Sequence, residues 1–149
     1  MKLTLTVQYS GAKSGLPQKA DLARWARAAL ADDARDGTAT IVIRFVDAHE
    51  GAELNQRFRH KAGPTNVLTF PYAPEESNDL HGDLVLCAPV IAREAQAQGK
   101  TPAAHSAHMV VHGILHLRGY DHITQDEAVV MEGLETSIIA GLGFPGPYG

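Results

Sequence analysis

His112-Gly113-Ile114-Leu115-His116-Leu117-Arg118-Gly119-Tyr120-Asp121-His122 combines a helical histidine pair, a helix stop and a returning histidine. Histidines four residues apart on a helix share one face, with Cβ atoms about 5–6 Å apart, so both rings reach a single ion. Gly119 is the residue type that ends a helix in a left-handed conformation, and it lets His122 approach from another direction. Three neutral imidazoles leave the fourth tetrahedral position open, as a catalytic zinc requires. Structural zinc sites are usually closed by four protein ligands, mostly cysteine, and this chain has one cysteine, Cys87. The stretch therefore predicts one ion per chain held by His112, His116 and His122: Zn2+, with other divalent transition metals such as nickel or cobalt as alternatives.

The same spacing occurs in the metzincin pattern H-E-x-x-H-x-x-G-x-x-H, at each histidine and at the glycine. It departs at the second place. There the proteases carry the glutamate that takes a proton from water, and here Gly113 has no side chain to accept one. The motif implies a hydrolase and argues against a peptidase.

The helix bearing the motif reads from Pro102, behind the cap Thr101, to about Arg118. His105, His108, His112 and His116 fall within an arc of roughly 80° at 100° per residue. His108 is expected to orient or pack rather than ligate, and His105 to be exposed. Met109, Val110 and Val111 supply the buried side, which makes this the central helix.

Upstream, Met1 to Gln8 alternates like a half-buried strand. A helix from Pro17, with Leu22, Trp25, Ala29 and Leu30 at helical spacing, is predicted to close at Gly37. Ile41–Val46 reads as a strand covered on both faces. Asp47 with Glu50 predicts an N-cap and its reciprocal partner, opening a helix through about Arg59 with Leu54 and Phe58 facing the core. Val67–Phe70 is a short strand ending before Pro71, and the polar stretch Pro71–Asp79 a mobile loop. Asp83–Cys87, entered through Gly82, is the next strand, and Pro89 starts a helix ending at Gly99. Thr124 and Glu127 form a capping box for a last amphipathic helix carrying Val129, Val130, Leu134, Ile138 and Ile139. Gly141–Gly149 reads as an irregular tail. Four strands among these helices predict an α+β (mixed α/β) layer fold, in one domain over residues 1–149.

The start shows no continuous apolar run of a signal peptide, no stretch approaches membrane-spanning length, and one cysteine forms no internal disulfide. A cytoplasmic location follows as the expectation. The net charge of −4 lacks the basic excess typical of a stand-alone nucleic-acid binder. RNA contact must then be local, and Arg57-Phe58-Arg59-His60-Lys61, supplemented by Arg44, is the best patch, against the alternative of a solvated helix face.

The motif, together with Glu53-Leu54-Asn55, Phe58-Arg59, Pro64-Thr65-Asn66-Val67-Leu68-Thr69-Phe70-Pro71 and Gly82-Asp83-Leu84-Val85-Leu86-Cys87, resembles the bacterial YbeY family. Ala107–Val111, Leu134-Glu135 and Gly143-Phe144 continue the match in the family's order. The resemblance implies a single-strand-specific endoribonuclease that matures ribosomal RNA, notably the small-subunit 3′ end, and contributes to ribosome quality control. Its implied partners are single-stranded rRNA, the small ribosomal subunit and associated assembly proteins. The family's zinc-binding histidines map onto His112, His116 and His122, and its functionally important arginine onto Arg59. Departures are Phe58 where tyrosine is common, Ala62 where an acidic residue is frequent, and Thr69 where serine is usual.

On that substrate, a three-histidine zinc polarises a phosphoryl oxygen and acidifies water without a strong neighbouring base. Arg59 and His112 are the residues expected to carry catalysis, Arg59 by bidentate contact with phosphate oxygens. Asp121 is a candidate proton acceptor or partner of the ligands, against the reading of a turn-forming aspartate; Asp83, Asp126 and Glu127 are weaker candidates. Two alternatives stand beside this reading: a metalloprotease-like hydrolase, and a non-catalytic ribosome assembly factor stabilised by zinc.

Overall fold

The computed structural model describes residues 1–11, 13–74 and 76–148. Along these the chain runs β1 (Lys2–Tyr9), α1 (Lys19–Leu30), β2 (Thr38–Val46), α2 (Ala48–Arg59), β3 (Val67–Pro71), β4 (Leu80–Cys87), α3 (Ala88–Gln98), α4 (Pro102–Leu117) and α5 (Gln125–Gly141). The strands form a sheet ordered β1-β2-β4-β3, in which β1, β2 and β4 are parallel and β3 is antiparallel to β4. The mixed α/β architecture expected from the sequence is the one observed.

Alternation along β2 sends Ala39, Ile41, Ile43 and Phe45 into the main core, where they join Leu22 and Trp25 of α1 with Val110 and Ile114 of α4. Such a core follows from period-two burial on the strand meeting an apolar helical stripe. Behind the sheet a smaller cluster joins Val46, Leu68, Val85, Cys87 and Val90, with Leu54 of α2 packed on it. β2 is therefore not covered on both faces as expected, since Val42 and Arg44 are only half-buried.

α4 lies against β3 and β4 and also packs on α1, α3 and α5, which makes it the central helix as read. Its approach to the sheet is so close that a Cβ at Gly113 would stand 2.7 Å from Leu84 Cδ2 and 3.4 Å from Thr69 Cγ2. Gly113 is thus a packing requirement. No side chain fits there without moving a fully buried leucine.

Helix starts follow their capping residues. The Asp47 carboxylate accepts from Glu50 N at 2.8 Å, Thr101 caps Ala104, and Thr124 with Glu127 forms the reciprocal box. Glu50 is not a reciprocal partner of Asp47: its carboxylate is bound by Arg44, at 2.7 and 3.0 Å, and by the Ser10 hydroxyl.

Several boundaries and faces differ from expectation. α1 starts at Lys19 and stops at Leu30 rather than spanning Pro17 to Gly37. At its end Arg118 takes the Ala29 carbonyl at 2.8 Å, while Arg35 and Asp33 close a turn of their own. β3 takes in Pro71, which faces Gly82, and β4 starts at Leu80, held by register with Ala39 of β2. Phe58 does not face the core; it is 53% exposed at the end of α2. On α5, Val129 and Val130 are exposed, and the inward stripe is Met131, Glu135 and Ile139. α5 itself runs through Gly141, the first residue of the expected tail. Residues 72–74 and 76–79 lie outside helix and strand; Glu75 and Gly149, on which the loop and tail expectations also fall, lie outside the described residues. No helix of the described residues is long and apolar enough to cross a membrane.

Candidate metal centre and groove

The histidine stripe of α4 changes character along its length. Near the start of the helix α3 covers it, so His105 is 2% exposed, contrary to expectation, and its Nε2 lies 2.9 Å from Glu94 Oε1. His108 is also buried and bonds Glu135 of α5 through Nε2. Further on, His112 and His116 are half-buried and face a groove.

Each of these two rings has its Nδ1 engaged. His112 Nδ1 lies 3.1 Å from Glu135 Oε1, and His116 Nδ1 lies 3.0 Å from the Tyr120 carbonyl oxygen. Carboxylate and carbonyl only accept, so each Nδ1 carries the proton and each Nε2 presents a lone pair. Those two Nε2 atoms stand 3.2 Å apart. Zinc–nitrogen bonds of 2.0–2.1 Å at a tetrahedral angle put two ligand nitrogens about 3.3 Å apart. The donor set thus fits a divalent ion.

His122 completes the cluster, its ring centroid 5.5 Å from that of His112 and 5.1 Å from that of His116. One ligand atom from each of the three residues lies within 4.8 Å of the others. The approach depends on Gly119, whose φ of 101° is open to glycine and costly for other residues. Gly119 N donates to the His116 carbonyl and Tyr120 N to the Leu115 carbonyl, which aims the Tyr120 carbonyl back at the His116 ring. Asp121 accepts from its neighbour's backbone, His122 N, at 2.8 Å, the turn-forming role, and also lines the groove.

Glu135 enters the sequence reading only within the Leu134-Glu135 match, with no role assigned to it. It is 1% exposed, and its carboxylate takes three donors: His108 and Tyr148 on Oε2, His112 on Oε1. Burial alone would raise its pKa; the hydrogen bonds from His108 and His112 outweigh that and pull it to about 2. The ionised carboxylate orients the His112 ring, the arrangement by which metal-binding histidines are commonly held. Its place between Met131 and Ile139, at four-residue intervals, was the available signal. Burial, and then proximity to His112 and His122, lowers the His116 pKa, which favours the neutral ring a metal needs. The Tyr148 phenol is raised by burial and by Glu135, so it stays a donor.

Arg59, the last residue of α2, shares a groove of about 710 Å³ with His112, His116, Asp121 and His122. It takes part in no salt bridge among the described residues, which removes the surface ion pair as its explanation. Phe58 stands on the same wall, its ring 5.1 Å from Phe70 in an edge-on contact with the Arg57 guanidinium over it at 5.6 Å. Ile123, 82% exposed, lines the groove as well. Arg44 does not join this basic patch, being committed to Glu50. Asp83 accepts from the Tyr72 hydroxyl at 2.8 Å and Glu127 serves as a cap, while Asp126 sits exposed in the first turn of α5.

The family model described as Endoribonuclease YbeY matches residues 10–143. Among curated proteins, the Endoribonuclease YbeY of Nitrosomonas europaea is 53% identical over 147 residues, covering 99% of this chain and 85% of its own. That of Methylococcus capsulatus is 52% identical over 148 residues, covering 98% and 95%. Among solved structures, the solution structure of TM1509 from Thermotoga maritima superposes with a TM-score of 0.60 at 25% identity, covering 93% of this chain and 91% of that one.

Proposed function

The chain belongs to the Endoribonuclease YbeY family, and on that premise we propose that it is a zinc-dependent, single-strand-specific endoribonuclease that matures the 3′ end of small-subunit rRNA and serves ribosome quality control. The observation that carries this reading is the facing Nε2 pair of His112 and His116, at 3.2 Å, in the groove that Arg59 also lines. When bound there, a divalent ion supplies Lewis-acid chemistry, acidifying water and polarising a phosphoryl oxygen. The protein does the rest. Glu135 and the Tyr120 carbonyl hold the two rings, and Arg59 offers a planar fork to phosphate oxygens and to charge gathering on them. Asp121, beside the ligands on the groove wall, is the carboxylate nearest in sequence to accept a proton.

Single-strand preference is supported by Phe58 and Ile123. Exposed apolar surface beside a phosphate-binding arginine suits bases whose faces are free, whereas a duplex keeps its bases stacked inside. The metalloprotease alternative is weakened by Gly113, where a glutamate would have to displace the fully buried Leu84 side chain. Partners on the small subunit fit a net charge of −4, because docking through proteins needs no large basic surface.

The test is elemental analysis of purified protein paired with cleavage of single-stranded and duplex RNA, with and without chelator. About one zinc per chain is expected, with single-strand cleavage lost on chelation and restored by zinc. Cleavage that survives complete metal removal would overturn the mechanism. Co-sedimentation with small ribosomal subunits but no metal-dependent cleavage would favour the non-catalytic assembly factor.

A further inference from the structure

We propose that Tyr148 is a positioning residue for the metal centre: its hydroxyl, bonded to Glu135, sets the carboxylate that in turn holds the His112 ring. The inference rests on the reading of His112 as a metal ligand and goes beyond it to a residue outside the histidine motif.

Three observations converge on it. First, the Tyr148 hydroxyl lies 2.8 Å from Glu135 Oε2, while Glu135 Oε1 faces His112 Nδ1 at 3.1 Å. Second, Tyr148 is the one donor to Glu135, among the described residues, that does not come from α4; His108 and His112 both do. His108 and His112 hold one carboxylate oxygen each, both from the same side. The Tyr148 hydroxyl adds a second donor to Oε2 from outside that helix, and so narrows the direction in which the carboxylate meets His112.

Third, the segment carrying Tyr148 is anchored. Pro147 is buried and its carbonyl oxygen accepts from Lys100 Nζ at 2.6 Å. The Tyr148 ring stands edge-on to His108 at 5.2 Å. The outer edge of that ring meets solvent, and its hydroxyl turns inward. A residue whose ring packing is modest but whose hydroxyl completes a buried carboxylate contributes mainly through that hydrogen bond.

Partners of this kind, one step removed from the metal, typically change metal affinity by 10–100-fold when lost. Tyr148→Phe removes the hydroxyl and keeps the ring. The experiment compares wild type, Tyr148→Phe and Tyr148→Ala by zinc competition against a chromophoric chelator, and by nitrogen NMR of the histidine rings in metal-free protein. Tyr148→Phe is expected to weaken zinc binding about 10-fold, with a melting temperature of the metal-free protein lowered by a few degrees at most, less than in Tyr148→Ala. In the metal-free spectra the His112 ring, held as the Nδ1–H tautomer in wild type, should become a mixture of tautomers.

An unchanged zinc dissociation constant or an unchanged His112 tautomer in Tyr148→Phe overturns the proposal. Wild-type protein that binds no zinc would defeat the metal reading. In that case the metal-free tautomer comparison still decides whether Tyr148 positions His112.

Discussion

The His116 ring is tied through Nδ1 to the carbonyl oxygen of Tyr120, at 3.0 Å, by a turn that the left-handed Gly119 closes. Gly119→Ala strains that turn by about 1–2 kcal/mol. It also swings the Tyr120 carbonyl away from the ring. A lower melting temperature and weaker zinc binding should appear together, in thermal melts and in zinc competition titrations. Full zinc affinity in Gly119→Ala would show that His116 needs no such tie.

Arg59 is exposed at the end of α2 and unpaired among the described residues, so its loss should not touch stability. Arg59→Ala is expected to lower the cleavage rate by about 100-fold, the scale of one oriented charge-stabilising donor. Arg59→Lys should recover only part, because an ammonium cannot hold two phosphate oxygens in a planar fork. Single-turnover cleavage beside a thermal melt separates the two effects. Equal rates for Arg59→Ala and wild type would remove Arg59 from the chemistry.

Gly113 separates fold from chemistry in a testable way. Gly113→Ala places a methyl 2.7 Å from Leu84 Cδ2 in a packed core and should cost about 1–3 kcal/mol in urea unfolding. Gly113→Glu should be worse still and yield no turnover of casein. Peptidase activity in that variant would mean that the α4–sheet interface yields more easily than its packing indicates.

Stability in acid depends on Asp33. Its carboxyl is held well below the usual carboxylate range, first by the Arg35 hydrogen bond and also by the charge of Arg118, 3.1 Å away. Because the folded pKa lies below the unfolded one, this contribution is complete above the ordinary value of about 3.9 and fades as pH falls through the folded value. Asp33→Asn should therefore lower the urea midpoint at pH 7 and lower it less at pH 3. The same loss at both pH values would assign the effect to packing.

Where the sequence carried a local rule, it read clearly. Asp47, Thr101, Thr124 and Gly99 marked helix ends because a cap is a contact between near neighbours. The pairing of His112 and His116, and the return of His122, followed from helix geometry and a glycine in the same way. What stayed hidden lies in contacts between elements. The buried state of His105 depends on α3 and Glu94, and the early end of α1 on Arg118, 88 positions after Leu30 in the numbering. Phe58 follows Leu54 by four residues and is apolar, and neither property distinguishes a core ring from one standing in a groove. Val129 and Val130 misled in the same manner, because the inward stripe of α5 is centred on a charge.

That charge also bears on how the last helix finds its place. Glu135 meets hydrogen-bond donors on the histidine face of α4, where His108 and His112 stand within reach. Turned instead toward the face of Val110 and Ile114, the carboxylate would lie among apolar side chains with its charge uncompensated, at a cost of several kcal/mol. An all-apolar stripe on α5 would accept either face at little cost. Glu135 in this sense selects the face of α4 on which the last helix settles during folding.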